Sequence, residues 1–458
     1  MWGLGFFLPH LWWARQAAGP LPWLALAVVQ AGLLAAGTAA WATTVRVPWL
    51  RRTPWAAALA FTVTWVADEQ LRSSWPFGAF PWGRLAFSQT SGPLLALAWL
   101  GGAPLVSAAI ALVGFLLARA WSAPRRGRVR SALAVAAVVA AVLGLAATIP
   151  LASAAQAGTL RLTGVQGNRP DHPSVVADRA RAVLDNHVTG THTLLQSAAA
   201  GSFDVVLWPE NATAIDPRTD AAAAAAVERS AQAVGAPILL GADQRHSDGR
   251  YVQMLLWQPG RGPVFAYSKQ KVVPFGEYIP DRGLFRLLSP QVDRVGTDAK
   301  PGDQPAVVPL QVPRLGRVVP LATVIRFEVA FDDVVRIAVR DGAQLIVVAT
   351  NNASFGRTAE STPQLAMTQL RAVEHERAAV LISTVGVSAV IAPDGTVEQR
   401  TGLFTPATIR TEVPLRTSLT PADRLGAAPV IVAVVLALAG LLAGAGARAP
   451  DGWPGRTT

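Results

Sequence analysis

The stretch TVIRFEVAF, residues 323–331, places charged residues directly after an apolar run. Its β-branched start is typical of a buried strand. Side chains two apart on a strand point to the same face, so we expect Arg326 and Glu328 to project together. A charged pair at the end of a buried strand indicates a polar pocket at that end.

Two other segments place polar residues where a strand should end. FDVVLWPEN (203–211) carries Glu210 at its tip, and YSKQKVVPFGEYIP (267–280) contains Lys269. The chain has three lysines, at 269, 271 and 300, and otherwise uses arginine. A retained lysine indicates a need for a compact ammonium group. Taken alone, the glutamate could equally be a solvated loop carboxylate, and the lysines could be surface residues.

Around these segments, short apolar strands alternate with helical patterns, which predicts an α/β domain over residues 153–424. The predicted strands are 159–167, 203–211, 237–245, 251–259, 262–270, 344–353, 380–386 and 388–400, besides the one that ends near Arg326. The predicted helices are 174–198, 220–235, 332–342 and 363–378.

The rest of the chain has the composition of a membrane protein. Hydrophobic residues make up 51% of the 458 residues and charged residues only 15%, against about 25% charged in soluble proteins. The apolar residues gather in long runs towards both ends, so we predict a helical membrane domain with a large soluble insert. The candidate spans are 21–45, 54–71, 104–121, 131–152 and 425–447.

The positions of the arginines orient these spans. Arg51, Arg52 and the run PRRGRVR (124–130) flank apolar segments as cytoplasmic anchors do. The loops 46–53 and 122–130 are therefore predicted to lie inside, and residues 153–424 outside. The same positions account for much of the net charge of +11, so we expect no nucleic-acid partner.

The ends of the chain complete the predicted domain organisation. The first 13 residues before Arg15 are too short to span a membrane comfortably and resemble the tail of a helix that begins earlier. We predict a helical membrane domain over 1–152, a soluble domain over 153–424, a C-terminal membrane helix over 425–447 and a cytoplasmic tail over 448–458.

The composition also argues against several kinds of site. The chain has no cysteine, so it has no disulfide, no thiolate metal site and no cysteine nucleophile. Of the six histidines, His187 and His192 are the closest pair, five residues apart on a predicted helix and so on different faces. We expect no metal site and no cofactor.

Taken together, the motifs resemble a known family. WPEN, then Y-x-K-x-x-x-VPFGEYIP, then I-x-F-E, then TNNASFG (350–356) follow the order and spacing of the nitrilase-like carbon–nitrogen hydrolases. VPFGEYIP and FPWGRLAFSQ (80–89) are similar to one branch, the bacterial apolipoprotein N-acyltransferases. The resemblance implies a multi-span helical membrane domain in the bacterial inner membrane, joined to an extracytoplasmic αββα sandwich. The N-terminus departs from the pattern, as if the first two family helices were absent.

The resemblance also implies an activity. In the family, a cysteine takes an acyl chain from a phospholipid and passes it to the N-terminal amine of a lipid-modified lipoprotein. The carry-over makes Glu210 the general base and Lys269 the support of the oxyanion, with Glu277 and Glu328 as further acidic residues. The motif places the nucleophile at position 326, where this chain has arginine. Phe327 stands where an aromatic residue, often tyrosine, is usual.

Four interpretations of this substitution stay open at the level of sequence. The chain could be an active acyltransferase with another nucleophile, for which Ser354, Ser383 and Thr384 are the nearby hydroxyls. It could be an inactive relative that binds lipoproteins or lipid, or a decayed copy. A membrane-tethered amidase is the weakest alternative, because it too would need the missing cysteine.

Overall fold

The computed structural model describes residues 1–78, 80–169 and 176–447, without the side chains of 125–127 and 176–179. These residues divide into two compact units. One comprises 1–15, 19–150 and the C-terminal segment from Arg424, and the other comprises 16–18 and 151–423. The predicted tail 448–458 lies outside the described residues.

The helices and strands are numbered separately in chain order. The helices are α1 (Trp2–His10), α2 (Trp12–Ala18), α3 (Pro20–Thr44), α4 (Pro48–Arg52), α5 (Pro54–Arg72), α6 (Leu97–Ser122), α7 (Arg125–Thr148), α8 (Val176–Leu194), α9 (Ala221–Val234), α10 (Arg282–Leu288), α11 (Asp332–Arg340), α12 (Ser361–His375), α13 (Pro421–Leu425) and α14 (Ala428–Gly446). The strands are β1 (Thr159–Gln166), β2 (Val205–Leu207), β3 (Ile238–His246), β4 (Gly249–Gln258), β5 (Gly262–Ser268), β6 (Val307–Val312), β7 (Arg317–Ile325), β8 (Leu345–Thr350), β9 (Ala379–Ser383), β10 (Ala389–Ile391), β11 (Val397–Arg400) and β12 (Ala407–Pro414).

Four long apolar helical segments of the described chain are able to cross a membrane by length and composition. They are Pro20–Thr44, Pro93–Ser122, Arg128–Thr148 and Ala428–Gly446. The predicted span 54–71 also folds as a helix, α5, but it is less apolar because its C-terminal part contains Asp68, Glu69 and Arg72. The prediction of a multi-span helical domain is confirmed.

The charged residues of α5 are buried within the helical unit. Arg72 Nε lies 3.5 Å from Asp68 Oδ2, and Arg72 Nη1 donates a hydrogen bond to Gln30 Oε1 of α3 at 3.2 Å. Glu69 Oε1 accepts hydrogen bonds from Trp65 Nε1 and from the backbone N–H of Leu85. Buried charges are retained where they are paired, so this cluster fixes the loop after α5 against the helices.

The second unit contains two six-stranded sheets. Their strand orders are β12-β1-β2-β3-β4-β5 and β11-β10-β9-β8-β7-β6. Helices α8 and α9 pack on the first sheet, α11 and α12 pack on the second, and the two sheets face each other through β1 with β9 and β4 with β7. The predicted αββα sandwich is confirmed.

Strand direction explains where polar residues gather in this sandwich. β1, β2 and β3 are parallel, and β3, β4 and β5 are successively antiparallel, so β2 and β5 end at the same edge. β7, β8 and β9 are parallel in the second sheet. The carboxyl ends of parallel strands meet at one edge of a sheet, which is where ligand sites form in α/β folds.

Several short elements had no counterpart in the sequence predictions. They include α4, α10, α13, β6 and β12. β6 contains Pro309, which an edge strand tolerates because one of its sides has no neighbouring strand. β12 alternates exposed and buried residues and forms the antiparallel partner of β1 along its whole length, from Thr159 with Pro414 to Gln166 with Ala407.

Candidate active site

Lys269 lies at the centre of a buried polar cluster. It follows the end of β5, and its side chain is completely buried. Its Nζ donates a hydrogen bond to Glu277 Oε1 at 2.6 Å and lies 3.6 Å from Glu210 Oε1. The ammonium group therefore bridges the two carboxylates that follow β2 and β5.

Arg326 enters the same cluster from the end of β7. Its Nη2 donates to Glu277 Oε1 at 2.8 Å, its Nε lies 3.5 Å from Glu210 Oε2, and its Nη1 donates to the carbonyl of Asn351 at 3.4 Å. Two cations therefore face two carboxylates. The structure brings Glu210, Lys269, Glu277 and Arg326 together.

Backbone groups hold the two carboxylates in place. Glu210 Oε2 accepts a hydrogen bond from the N–H of Asn351 at 2.9 Å, and Glu277 Oε2 accepts one from the N–H of Val273 at 2.8 Å. Each carboxylate therefore turns one oxygen towards fixed backbone and the other towards Lys269. Such preorganised charge is a common property of catalytic sites.

Charge within the cluster keeps Glu277 and Arg326 ionised. Burial alone would raise the pKa of Glu277, but the positive charges of Lys269 and Arg326 lower that pKa to about 2. Burial alone would lower the pKa of Arg326, but the nearby carboxylates of Glu210, Glu277 and Glu360 raise it above its ordinary value. The guanidinium therefore stays protonated and has no lone pair with which to attack a carbonyl.

Glu328 does not share a strand face with Arg326, so that prediction was wrong. β7 ends at Ile325, and residues Arg326–Ala330 form a 3-10 helix. Glu328 Oε2 turns back to accept a hydrogen bond from the N–H of Ile325 at 2.7 Å, while Oε1 accepts from Tyr267 Oη at 2.8 Å. Arg326 accordingly pairs with Glu210 and Glu277 rather than with Glu328.

The turn puts strain into the backbone at position 326. Arg326 has φ of 47°, in the left-handed region. A residue other than glycine held there costs about 1–3 kcal/mol and persists where its surroundings fix it. Glu328 is one such constraint, because its fully buried side chain accepts a hydrogen bond from the Ile325 N–H. Burial raises the pKa of Glu328, and this hydrogen bond and the charge of Lys269 oppose the rise.

Phe327 contributes packing to this turn. It is buried, and its ring lies edge-on to that of Phe331, with 5.1 Å between the ring centroids. Lys271, the second lysine of its segment, pairs instead with Asp333 at 2.8 Å. The two lysines of 267–280 therefore have different surroundings, and Lys269 is the one in the cluster.

Sequence reasoning missed a third carboxyl group near the cluster, that of Glu360. It is buried just before α12, and its Oε2 accepts a hydrogen bond from Asn352 Nδ2 at 2.6 Å. Burial raises its pKa to about 8, although Arg326 opposes the rise and Glu210 adds to it. Glu360 follows the TNNASFG motif, but nothing in the sequence connects the motif to this glutamate.

The hydroxyl groups of Ser354, Ser383 and Thr384 are the alternative nucleophiles, and none of them occupies the position of the Arg326 side chain. Ser354 is exposed, Ser383 Oγ accepts a hydrogen bond from the N–H of Gly386, and Thr384 Oγ1 donates to the carbonyl of Glu210. None of these contacts is with a histidine, one of the bases that activate a hydroxyl nucleophile. Within the part of the chain that the structure describes, no cluster of three or more His, Asp or Glu side chains is arranged to hold a metal ion.

Comparison with known proteins places this arrangement in a family. A model of the apolipoprotein N-acyltransferase N-terminal domain matches residues 1–116, and a model of carbon–nitrogen hydrolases matches residues 137–418. An apolipoprotein N-acyltransferase from Mycolicibacterium smegmatis is 40% identical, over 96% of this chain and 75% of that protein. The chain belongs to the apolipoprotein N-acyltransferase family.

Other members of the apolipoprotein N-acyltransferase family are similar over most of the chain. The Gloeobacter violaceus protein is 34% identical over 99% of this chain and 84% of its own length. The Azotobacter vinelandii protein is 32% identical over 85% of this chain and 74% of its own length. The resemblance drawn from the motifs is therefore confirmed.

Solved structures also align with part of the chain. An amidase of the nitrilase superfamily from Nesterenkonia aligns over 61% of this chain and 99% of its own, with 18% identity and a TM-score of 0.43. A nitrilase-superfamily member from Saccharomyces cerevisiae aligns over 57% of this chain and 93% of its own, with 13% identity and a TM-score of 0.43.

Proposed function

We propose that this chain has the machinery to transfer an acyl chain from a phospholipid to the N-terminal amine of lipid-modified lipoproteins, but lacks the nucleophile. In this proposal it binds those substrates and forms no acyl intermediate. The observation that supports it is the position of the Arg326 guanidinium, 2.8 Å from Glu277 Oε1 and 3.5 Å from Glu210 Oε2. Arginine occupies the position where a thiol would react.

The proposed chemistry becomes complete in the variant Arg326→Cys. The thiol sulfur attacks the ester carbonyl carbon of the phospholipid, its proton passes to Glu210, and the oxyanion forms beside Lys269. The C–O bond then breaks, the proton moves to the leaving alkoxide, and lysophospholipid departs from a thioester. Covalent catalysis of this kind divides one difficult transfer into two easier steps.

The second step would deliver the acyl chain to the lipoprotein. The N-terminal amine attacks the thioester carbonyl, Glu210 takes a proton from the amine, and the C–S bond breaks. The thiolate regains a proton, and the product is an amide. Glu277 contributes by holding Lys269 at 2.6 Å, so that the ammonium group faces both the base and the oxyanion.

The guanidinium of Arg326 accounts for the proposed inactivity. Loss of the nucleophile from a coupled catalytic set costs up to about a millionfold in turnover. Arginine does not lose its proton in proteins, and both neighbouring carboxylates already contact it. The cluster is balanced in charge and offers no group that can form an acyl bond.

We further propose a location in the bacterial inner membrane, with residues 153–424 on the extracytoplasmic side. The domain boundaries 1–152, 153–424 and 425–447 belong to the same proposal. Arginines beside the apolar segments support it, because cytoplasmic loops carry an excess of basic residues. The apolar helices Pro20–Thr44 and Ala428–Gly446 are consistent with a chain that crosses a membrane near both ends.

Incubation with a phospholipid that carries a labelled acyl chain tests the proposal. We expect no covalent label on the unmodified full-length protein, and label on Arg326→Cys that is released by hydroxylamine. Arg326→Ala is the matched control, because it removes the guanidinium without supplying a nucleophile. Label on the unmodified protein would refute the proposed inactivity, and a folded Arg326→Cys variant without label would refute the assignment of position 326.

A further inference from the structure

The turn that carries position 326 is held at both ends by buried charged side chains. At its start, Glu328 Oε2 accepts a hydrogen bond from the N–H of Ile325 at 2.7 Å. At its end, Arg371 of α12 donates from Nε to the carbonyl of Val329 at 2.9 Å and from Nη2 to the carbonyl of Ala330 at 3.0 Å. The left-handed residue 326 lies between these two constraints.

The geometry of Arg371 suits this contact. Its guanidinium is a rigid planar group whose donors reach two successive carbonyls, and the flexible ammonium of lysine does not reproduce that pattern. The same Nη2 also donates to Asp332 Oδ1 at 2.9 Å, just after the turn. Arg371 therefore contacts three residues in the segment that follows position 326.

The charge of Arg371 is neutralised inside the protein. Its side chain is fully buried, and Nη1 donates to Glu374 Oε2 one turn along α12, while Asp332 supplies the second carboxylate. A buried charge with such partners is compatible with a stable fold. The guanidinium is accordingly fixed to α12 and to the start of α11.

We propose that Arg371 is a positioning residue that fixes the left-handed backbone of residue 326 and so directs its side chain towards Lys269, Glu210 and Glu277. This inference rests on the proposed function in one respect, because it takes position 326 as the reacting position. Arg371 contacts the segment after position 326 and not the side chains of Lys269, Glu210 or Glu277, and it acts through the carbonyls of Val329 and Ala330 and the carboxylate of Asp332.

A purely stabilising role is the competing explanation, and Arg377 provides the matched control. It is also a buried arginine that donates to backbone carbonyls, those of Ala343, His375, Glu376 and Ser418. None of these belongs to the turn. A general loss of packing or of buried hydrogen bonds should therefore affect Arg377→Lys and Arg371→Lys alike.

The experiment uses the full-length variant Arg326→Cys, in which the introduced thiol is the only one because the chain has no cysteine. Alkylation by iodoacetamide is followed against pH, since the thiolate is the reacting form. The charges of Lys269, Glu210 and Glu277 shift the pKa of a thiol held among them away from the pKa of a free thiol. We expect Arg371→Lys in this background to move the midpoint by about one pH unit towards about 8.5, the value of a free thiol.

Arg377→Lys in the same background should leave the midpoint unchanged. If Arg371→Lys does not fold, Glu374→Gln, which removes the charge that holds the Arg371 guanidinium against the two carbonyls, should shift the midpoint in the same direction by a smaller amount. An unchanged midpoint in the folded variant, or equal shifts for the two arginines, would overturn the inference. Alkylation needs no phospholipid, so a failure of acyl transfer with the shift intact would count against the proposed function alone.

Discussion

Arg326 and Lys269 donate to the same oxygen, Oε1 of Glu277, at 2.8 and 2.6 Å. One carboxylate oxygen thus organises the two cations of the candidate active site. Its partners explain why Glu277 stays ionised although it is buried, and why the arginine is accommodated without disturbing the lysine. The consequences for stability and activity can be measured separately.

Glu277 should make the fold sensitive to acid. Its folded pKa of about 2 lies below its ordinary value of 4.5, so its contribution is fully present above pH 4.5 and is lost as the pH falls towards 2. The full contribution is about 3 kcal/mol. Unfolding in detergent should show a steeper loss of stability between pH 5 and 3 than for Glu277→Gln. Glu398→Gln, at an exposed carboxylate, serves as control, and equal slopes for all three proteins would contradict the prediction.

Glu360 should have the opposite effect at higher pH. Its folded pKa of about 8 lies above the ordinary 4.5, so the stability that it contributes is present below pH 4.5 and is lost as the pH rises through 8. The loss is up to about 5 kcal/mol. Glu360→Gln keeps an acceptor for Asn352 and should therefore be more stable than the unmodified protein at pH 8. Thermal unfolding at pH 5 and pH 8 checks this, and a variant with the same pH dependence as the unmodified protein would rule it out.

Lys269 should be required for acylation once a thiol is present. In the Arg326→Cys background, Lys269→Met should lower the rate of labelling by about a hundredfold to a thousandfold, as for loss of one oxyanion contact. Lys271→Met is the control, since that lysine pairs with Asp333 outside the cluster. The rate of label incorporation from the phospholipid decides between them. Similar rates for the two variants would remove Lys269 from the proposed mechanism.

The sequence predicts residues of this site that lie within a recognisable local motif, but it does not predict those whose role depends on contacts between distant segments of the chain. Glu210 and Lys269 could be proposed because each lies at the end of a predicted strand, and Glu277 because the motif VPFGEYIP resembles that of the family. Glu328 was placed on the wrong face, because the strand does not continue past Ile325: residues Arg326–Ala330 form a 3-10 helix, in which Glu328 accepts a hydrogen bond from the N–H of Ile325. Local periodicity does not reveal such a bond.

Other parts of the structure depend on contacts between distant segments. Glu360 lies near the cluster in the loop before α12, and Arg371 contacts the turn after position 326 from α12, but no spacing in the sequence relates either residue to position 326. β12 was missed for a similar reason, since its alternating pattern becomes a strand by pairing with β1. The strongly apolar strands β8 and β9, by contrast, were predicted correctly because they are buried on both faces.

Binding should survive the loss of chemistry. We expect the unmodified protein to bind a synthetic peptide whose N-terminal cysteine carries a diacylglyceryl group, because the presence of arginine at position 326 leaves the fold intact. Fluorescence anisotropy of the labelled lipopeptide in detergent measures this. The same peptide without the lipid is the control. Equal, weak signals for both peptides would argue against a binding function.

The orientation of the chain can be tested with reporter fusions. A reporter that is active only in the periplasm should be active when fused after residue 300 and silent after residue 125, because arginines cluster in the 122–130 loop. A cytoplasm-only reporter should give the reverse pattern. Activity of the periplasmic reporter at 125 together with silence at 300 would reverse the proposed topology.

The pairing of β1 with β12 sets an order of events during biosynthesis. β1 is complete at Gln166, but its antiparallel partner begins at Ala407. At about 5–20 residues per second, a ribosome needs on the order of tens of seconds to make the chain between them. During that interval β1 has β2 on one side and an unpaired edge on the other, and such edges invite association with other chains. A nascent chain arrested before residue 407 should therefore aggregate or be degraded, whereas one released after Pro414 can close its first sheet.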